Sequence, residues 1–491
     1  MNANTWSTAP VSPAHTDDAT VMKREFTLWS AFSLAFVFIS PIVAMYGIFS
    51  IGLEYIGPGF WWGWVVTLIG QLTVAITFGV LASRWPLAGG VYQWSRQLLG
   101  RTYGWFAGWA YSWALIIALA SVAYAGAGFL AVLVGIDAAG SGTLTVLAIV
   151  LLVITSAVNL FGRTAVKIVA TVCIAAEVLG SVGIGVWLLL FHREQPATVV
   201  FDGLAASADT PLMMTPLMLA IAFAGWSFLG FESASSIAEE VKNPKKAVPI
   251  AIVVSLIGVA AVILFTSFAI VSAIPDLSKI VEQSGGDPVL AILNYHLPAP
   301  VVTVVLTMFV IAFLASLVAI QAAVSRVVWA SAREGELPAA GWLAKLSGPS
   351  GLPRNSIALI GVLSIAMFLP LQNEYISTLL ISFTTVGFYV AFLFPVLALA
   401  IARVRGTWTP TERLFLGRFG LVVAWLALVW LAFEITNVLW PRESADLWFV
   451  NAAPLIASGI MAVLGWIVMR SSPAFRSRTT DTIAAKTSNG R

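Results

Sequence analysis

The chain is divided into long apolar runs, and each is about the length that crosses a bilayer. An α-helix needs about 20 consecutive apolar residues to span the hydrocarbon layer. Twelve stretches qualify, at roughly 27–52, 60–83, 104–134, 143–161, 165–191, 212–239, 248–274, 300–331, 355–371, 375–402, 417–439 and 447–469. Only 10% of the 491 residues are charged and 59% are hydrophobic, too much apolar surface for a soluble fold to hide. The lipid bilayer is therefore the expected solvent. Residues 1–25 are polar, end in Lys23-Arg24-Glu25, and lack an apolar stretch followed by a cleavage site. They are expected to form a cytoplasmic tail and not a signal peptide.

An even number of spans puts both termini on one side. With the N-terminus inside, the external loops hold three basic residues, Arg193, Lys279 and Arg442. The other basic residues, among them Arg84, Arg96, Arg101, Lys242, Lys245, Lys246, Arg403, Arg405, Arg413 and Arg418, lie in or beside cytoplasmic loops. This is the asymmetry of the positive-inside rule, and shifting the register by one span would destroy it. The expected location is the plasma membrane, with a C-terminal cytoplasmic tail at 471–491.

Two spans are interrupted. The first contains Ser40-Pro41-Ile42-Val43-Ala44-Met45-Tyr46-Gly47, in which proline removes a helix hydrogen bond. The sixth contains Phe223-Ala224-Gly225-Trp226-Ser227-Phe228-Leu229-Gly230, weakened by two glycines. Proline and glycine are also simply more frequent in membrane helices. The two spans are five apart, however, and paired interruptions in corresponding spans point to a transporter binding site. Backbone groups unpaired in hydrocarbon cost several kcal/mol each, so irregular backbone is tolerated only around a cavity or ligand. N–H groups at a half-helix start suit a carboxylate, and freed carbonyls suit a cation.

Three acids lie within spans: Glu177 in the fifth, Glu232 in the sixth and Glu434 in the eleventh. Ionisable groups at this depth are functional candidates by default. Glu232 directly follows the second break, where it would meet a substrate ammonium or carry a proton, or act as a neutral acid tying the broken helix to a neighbour. Glu177 would serve as a proton or cation site between the first, fifth and eighth spans, or play a structural part. Glu434, near a span end, reads as a snorkelling or oligomer-facing group. The single cysteine, Cys173, excludes an internal disulfide and reads as a small buried hydrophobe. His15, His192 and His296 fall in loops or a tail. No metal site, cofactor or nucleic-acid partner is expected.

Three motifs resemble a known family. FLGFESASSIAEEVKNPKKAVPIAI (228–252) resembles the sixth-span motif of the amino acid–polyamine–organocation superfamily, with its Gly-Phe-Glu-Ser core followed by Glu-Glu-x-x-Asn-Pro. SRWPLAGGVYQWSRQLLG (83–100) resembles the family's Pro-x-Ala-Gly-Gly-x-Tyr loop, and SRVVWASAREGELP (325–338) its eighth-span end. With the first-span break, the likeness over 25–470 is greatest to the amino acid–choline transporter branch. That branch includes permeases for amino acids, γ-aminobutyrate, choline and polyamines. The resemblance implies an all-α membrane protein of twelve helices: a LeuT-like five-plus-five inverted repeat over 26–402, with halves of about 26–195 and 210–402, discontinuous first and sixth helices, and two further helices in 403–470.

It also implies a substrate held between the breaks. Ser40, Ile42, Val43, Ala44, Met45, Tyr46 and Gly47 would offer backbone to a carboxylate. Phe223, Ala224, Gly225, Trp226, Ser227 and Phe228 would supply carbonyls, with Trp226 or Phe228 as an aromatic lid. Tyr111, Tyr124, Gln321 and Thr385 would line the remainder. Many relatives have a Gly-rich run where this chain has Ala44-Met45-Tyr46. Some proton-coupled relatives carry a lysine where it has Glu177. Arg326 and Arg333 would pair with Glu239 or Glu240 as an inner gate, an arrangement that could equally be a solvated charge cluster.

The expected function is a secondary active permease, moving an amino acid or related amine by alternating access, coupled to protons in uptake or exchange. A choline, polyamine or γ-aminobutyrate permease and a non-transporting sensor are the alternatives. A membrane enzyme would need facing catalytic groups, and no His-Glu-x-x-His, metal-ligand spacing or nucleophile motif occurs in a span. A channel would need a continuous polar pore. No nucleotide-binding Gly-x-x-x-x-Gly-Lys loop is present, so ATP is not expected to drive transport directly.

Overall fold

The computed structural model describes residues 24–136, 139–276, 288–348, 351–369, 376–408, 420–442 and 448–475. The expectations for the two terminal tails, apart from their described edges, and for His15, Lys279, Arg413 and Arg418 lie outside these residues. Among them the chain is helical, and β-pairing is confined to isolated bridges such as Phe26 with Val241. Eleven described helices are long and apolar enough to cross a membrane. They match eleven of the twelve expected spans, from Leu28–Ile56 to Ala452–Ser471. The stretch expected as the ninth span is a shorter apolar helix, Arg354–Ala366, followed by undescribed residues 370–375. Between the seventh and eighth spans a short helix, Pro288–His296, carries a histidine expected in a loop.

Both expected interruptions are present, each with a definite cause. The first span consists of Leu28–Ile39 and Pro41–Ile56, joined at Ser40, whose φ is 49°. Pro41 does not distort a helix interior. It takes the first position of the second half, where its missing N–H is no loss. In the sixth span the helix runs Pro216–Ser227, passes straight through Gly225, and stops at Phe228. The chain turns at Gly230 (φ 96°), then continues as short 3-10 segments, Phe231–Ser235 and Ala238–Glu240. A Cβ at Gly230 would stand 2.0 Å from the Phe38 ring, so both conformation and packing call for glycine there. The fifth span also departs from α-geometry, in a π-helical turn at Val178–Gly183 directly after Glu177.

The first four spans pack with counterparts five positions on. Both parts of the first touch the sixth, the second packs on the seventh, the third on the eighth, and the fourth on the short ninth helix. The eleventh lies against the second and tenth. The start of the first span is pinned to the end of the sixth, because Phe26 N–H donates to Glu240 O (2.9 Å) and Lys242 N–H to Phe26 O (2.8 Å). One end of the bundle, called here the basic face, carries Arg84, Arg96, Arg101, Lys242, Arg333 and Arg403.

Small residues allow the closest approaches. A Cβ at Gly63 of the second span would lie 2.4 Å from the Ala220 carbonyl oxygen of the sixth, a backbone atom that cannot rotate away. We therefore expect Gly63→Leu to lower stability by about 1–3 kcal/mol, the usual range for overpacking. Thermal unfolding of the detergent-solubilised protein checks this; an unchanged midpoint would contradict the packing.

Candidate functional site

The breaks face each other. Ser227 Oγ, at the end of the first half of the sixth span, donates to the Ala44 carbonyl (2.6 Å) and accepts from Trp64 Nε1 (2.8 Å). Ser316 Oγ of the eighth span donates to the Phe38 carbonyl beside the first break (2.8 Å). The Phe38 carbonyl, in the last turn of the first half-helix, thus finds a hydroxyl donor from a facing span, and Ser227 ties the end of one half-helix to the start of another.

The start of the second half of the first span is satisfied completely. Ser40 N–H donates to Phe36 O (2.8 Å), and Pro41 has no N–H. Ile42 N–H donates to Glu177 Oε2 at 2.9 Å, Val43 N–H to Ser40 Oγ at 3.1 Å, and Ala44 N–H to Ser40 O at 2.8 Å. The Ser40 hydroxyl also donates to Glu177 Oε1, and the Cys173 thiol, one turn earlier, faces that same oxygen at 3.9 Å. A carboxyl from the fifth span therefore occupies the positive end of this half-helix, the position in which a carboxylate is most stabilised. Cys173 is buried as expected, and it is also part of this polar cluster.

The second break repeats the pattern with its own residue. Glu232 lies in the first turn after Gly230, at the positive end of the resumed segment. It is fully buried, and Tyr111 of the third span donates its hydroxyl to Oε1 at 2.7 Å.

A cavity of about 30 Å³ lies between the breaks, with Phe38, Ile39, Val43, Ala44, Trp226 and Thr384 among its lining residues. It has room for about two waters, so neighbouring side chains must move to admit a substrate. Of the expected contacts, Val43, Ala44 and Trp226 line it. Ile42 and Ser40 turn to Glu177 instead. Met45 is buried, the Tyr46 ring packs on Phe309 (4.2 Å), and Gly47 faces the Trp226 ring. Phe223 meets Tyr55 edge-on, Ala224 and Phe228 are buried in the core, and Ser227 ties the two breaks together. Gly225 faces Tyr389 and Glu434. Thr384 lines the cavity where Thr385 was expected. Tyr124 packs near Phe368, and Gln321 bonds Ser156 and Asn159. A larger cavity, about 260 Å³, opens between the third, eighth and ninth helices near the basic face, but its walls are almost wholly apolar, with Trp105, Trp109 and Trp113 along one side. The convergent polar groups lie at the breaks. Among the described residues no group of three or more His, Cys, Asp or Glu side chains is placed to hold a metal ion.

Glu434 corrects the sequence reading. It does not snorkel, because it is fully buried behind Gly225. The eleventh span carries it inward against the second and tenth, away from lipid.

The basic face joins all three family-like motifs. Arg333 makes a bidentate contact to Glu239 (2.8 and 3.0 Å), and Glu239 Oε1 also accepts from Ala88 N–H at 3.1 Å. Arg326 meets Glu240 at 3.2 Å, with both side chains almost fully buried (3% and 0% exposed). Glu336, not singled out in the sequence, is the hub of a second cluster with Tyr92 (2.9 Å), Arg101 (3.1 Å) and Arg96 (3.4 Å), and Arg96 also bridges to Glu334 (3.0 Å). Burial pushes the Glu336 carboxyl above the ordinary carboxylate range, and Tyr92, Arg96 and Arg101 pull the other way.

A family model described as amino acid permease matches residues 26–467. Amino-acid permease BAT1 of Arabidopsis thaliana is 24% identical over 475 residues, covering 90% of this chain and 90% of the relative. An uncharacterized amino-acid permease of Schizosaccharomyces pombe is 25% identical over 475 residues, covering 91% and 82%. A BAT1 homolog of Oryza sativa subsp. japonica is 24% identical, covering 84% of each chain.

Two variants test these contacts. Glu177→Ala should cost about 1–3 kcal/mol by leaving the Ile42 N–H unpaired in the interior, and Glu177→Gln, which keeps an acceptor, should cost less. Arg326→Met should cost about 3–5 kcal/mol by removing the buried cation that Glu240 faces. Unfolding midpoints that rank Gln below Ala, or leave Arg326→Met at wild type, would contradict the assigned contacts.

Proposed function

The chain belongs to the amino acid permease family, and on that premise we propose that it is a secondary active transporter, moving an amino acid or related amine across the plasma membrane by alternating access, coupled to protons. The observation that carries this reading is the meeting of two interrupted spans around one cavity, each interruption holding a buried carboxyl, Glu177 or Glu232. The packing of the first four spans on counterparts five positions on supports a five-plus-five inverted repeat. In this reading the basic face is cytoplasmic, and both termini lie there.

The cavity between the breaks is the substrate site. Trp226 lines it and packs over Gly47, so it must swing to admit a ligand, as a lid does. Glu232 and Glu177 are the coupling carboxyls. Each can take a proton without losing its place, because each is already held by neighbouring donors. Glu239–Arg333 and Glu240–Arg326 form the inner gate. They tie the end of the sixth span to the eighth, and opening toward the basic face requires both pairs to separate.

One observation favours a second reading of the substrate. Both positive half-helix ends already hold a protein carboxyl, and no Lys or Arg is among the cavity's lining residues. Carbonyl-rich ends and aromatic rings remain, which suit an ammonium group. A substrate held by its amine and lacking a carboxylate, such as choline or a polyamine, fits those walls.

Uptake into proteoliposomes decides between transport and ligand sensing. A transporter accumulates more labelled substrate than one molecule per protein, and a sensor never does. With amino acids, γ-aminobutyrate, choline and putrescine as the panel, an inward proton gradient should raise uptake of at least one. Glu232→Gln should flatten that pH response while leaving the protein folded. A wild-type pH profile in Glu232→Gln would remove this residue from coupling.

A further inference from the structure

Glu434 belongs to the eleventh span, outside the ten helices that carry the breaks, and nothing above uses it. Neither of its carboxyl oxygens has a hydrogen-bond partner among the described residues. A Cβ at Gly225 would stand 3.4 Å from Glu434 Oε2 and 3.1 Å from the Tyr389 hydroxyl, so both oxygens press on the same face of the sixth span, less than one turn before the break. Gln71 Nε2 donates to the Tyr389 hydroxyl oxygen at 3.0 Å, and that hydroxyl points at the Gly225 carbonyl at 3.4 Å. Gln71 Oε1 is also buried without a partner. The second, sixth, tenth and eleventh spans thus meet in one polar cluster with more acceptors than donors.

Such a cluster lacks a proton. An unpaired buried carboxylate costs several kcal/mol, and here it would also lie beside the negative, C-terminal end of the first half of the sixth span. A proton on Glu434 removes the charge and supplies a donor for the stranded oxygens. The closeness of both oxygens to Gly225 favours a proton over a metal ion, which would need several oxygens arranged around it. We propose that Glu434, with Tyr389 and Gln71 against the Gly225 carbonyl, forms a further proton-binding site, apart from Glu177 and Glu232, through which the eleventh span controls the break in the sixth.

The groups around it fix how the site is reached. Tyr389 from the tenth span and Arg442, just past the end of the eleventh, are the titratable or charged groups facing Glu434. The second span presents the uncharged Gln71, and the first half of the sixth contains no ionisable side chain. Asn437 lies one turn from Glu434 and donates to the Met218 carbonyl (2.9 Å). Arg442 donates to the Asn437 carbonyl and to its Oδ1 (each 2.6 Å), and to the Met213 carbonyl (3.2 Å). These polar groups lie between Glu434 and the end of the bundle opposite the basic face, the side from which the proposed site would be reached. Loss of the proton leaves a negative charge against the negative helix end, and the repulsion loosens the sixth span at its break.

The role in transport rests on the proton-coupled reading above, but occupancy of the site by a proton can be measured apart from it. Infrared difference spectra of the full-length protein in proteoliposomes, between acidic and alkaline buffer, report the C=O stretch of each protonated carboxyl. Glu434→Gln should lose one such band that both Glu177→Gln and Glu232→Gln keep. Tyr389→Phe, which leaves the carboxyl in place, should shift that band, and it decides the matter if Glu434→Gln does not fold. An unchanged spectrum in either folded variant overturns the site, as does a band that sodium ions remove at constant pH. In the same vesicles Glu434→Gln should lose most of the gradient-driven uptake of a labelled amino acid mixture; full uptake with the wild-type pH profile overturns its role in the cycle. If the wild type shows no response to a proton gradient, the coupled reading fails, and the infrared result still decides whether Glu434 binds a proton.

Discussion

A backbone amide or carbonyl cannot be left unpaired in hydrocarbon, and the structure is arranged around the few places where this chain interrupts its helices. At Ser40 the interruption is held by Glu177, which accepts from Ile42 N–H and from the Ser40 hydroxyl. At Gly230 the resumed segment begins with Glu232, tied to the third span through Tyr111. Ser227 and Ser316 serve the carbonyl side. Without these partners each break would carry a penalty comparable to the stability of a small domain. The polar residues of the spans are therefore structural in the first place, and in the proposed function the same groups are those a substrate or proton would disturb.

This has a consequence for transport. A half-helix start free of partners would attract any carboxylate. Here that position belongs to the protein, so a substrate carboxylate must displace Glu177, bind elsewhere or be absent. A protonated Glu177 is a weaker acceptor than an ionised one. In the proposed cycle, proton occupancy and substrate preference would be linked through the same Ile42 amide, which donates to Glu177. The basic face holds the opposite constraint. There Glu239, Glu240 and Glu336 bind Arg333, Arg326, Arg96 and Arg101 and hold separate chain segments together.

Much of this was legible without coordinates. The spans follow from apolar run length, and the two interruptions from Pro41 and from Gly230. For Arg326 and Arg333 the sequence left pairing with Glu239 or Glu240 and a solvated cluster equally open, and the contacts are those of pairing. Three features were not legible. Gly225 looked like a break, but the helix runs through it, since a glycine costs a membrane helix little when its neighbours pack closely. Glu434 looked peripheral because a position near a span end does not reveal which way a side chain faces. Glu336 sits in a loop whose partners lie more than two hundred residues away in sequence, and no local pattern announces such a contact.

The sequence by itself determined that the chain lives in a membrane, how its apolar runs divide, which two spans cannot be continuous, and which family it resembles. These are consequences of run length and backbone chemistry, which are local. Only the tertiary structure decided that Glu177 fills the positive end of the first break, that Trp64, Ser227 and Ala44 join the breaks, and that Glu434 turns inward to Gly225. Each of these is a meeting of side chains from distant spans. The bilayer fixes the length of every helix but not its rotation, and rotation is set by how neighbouring helices pack.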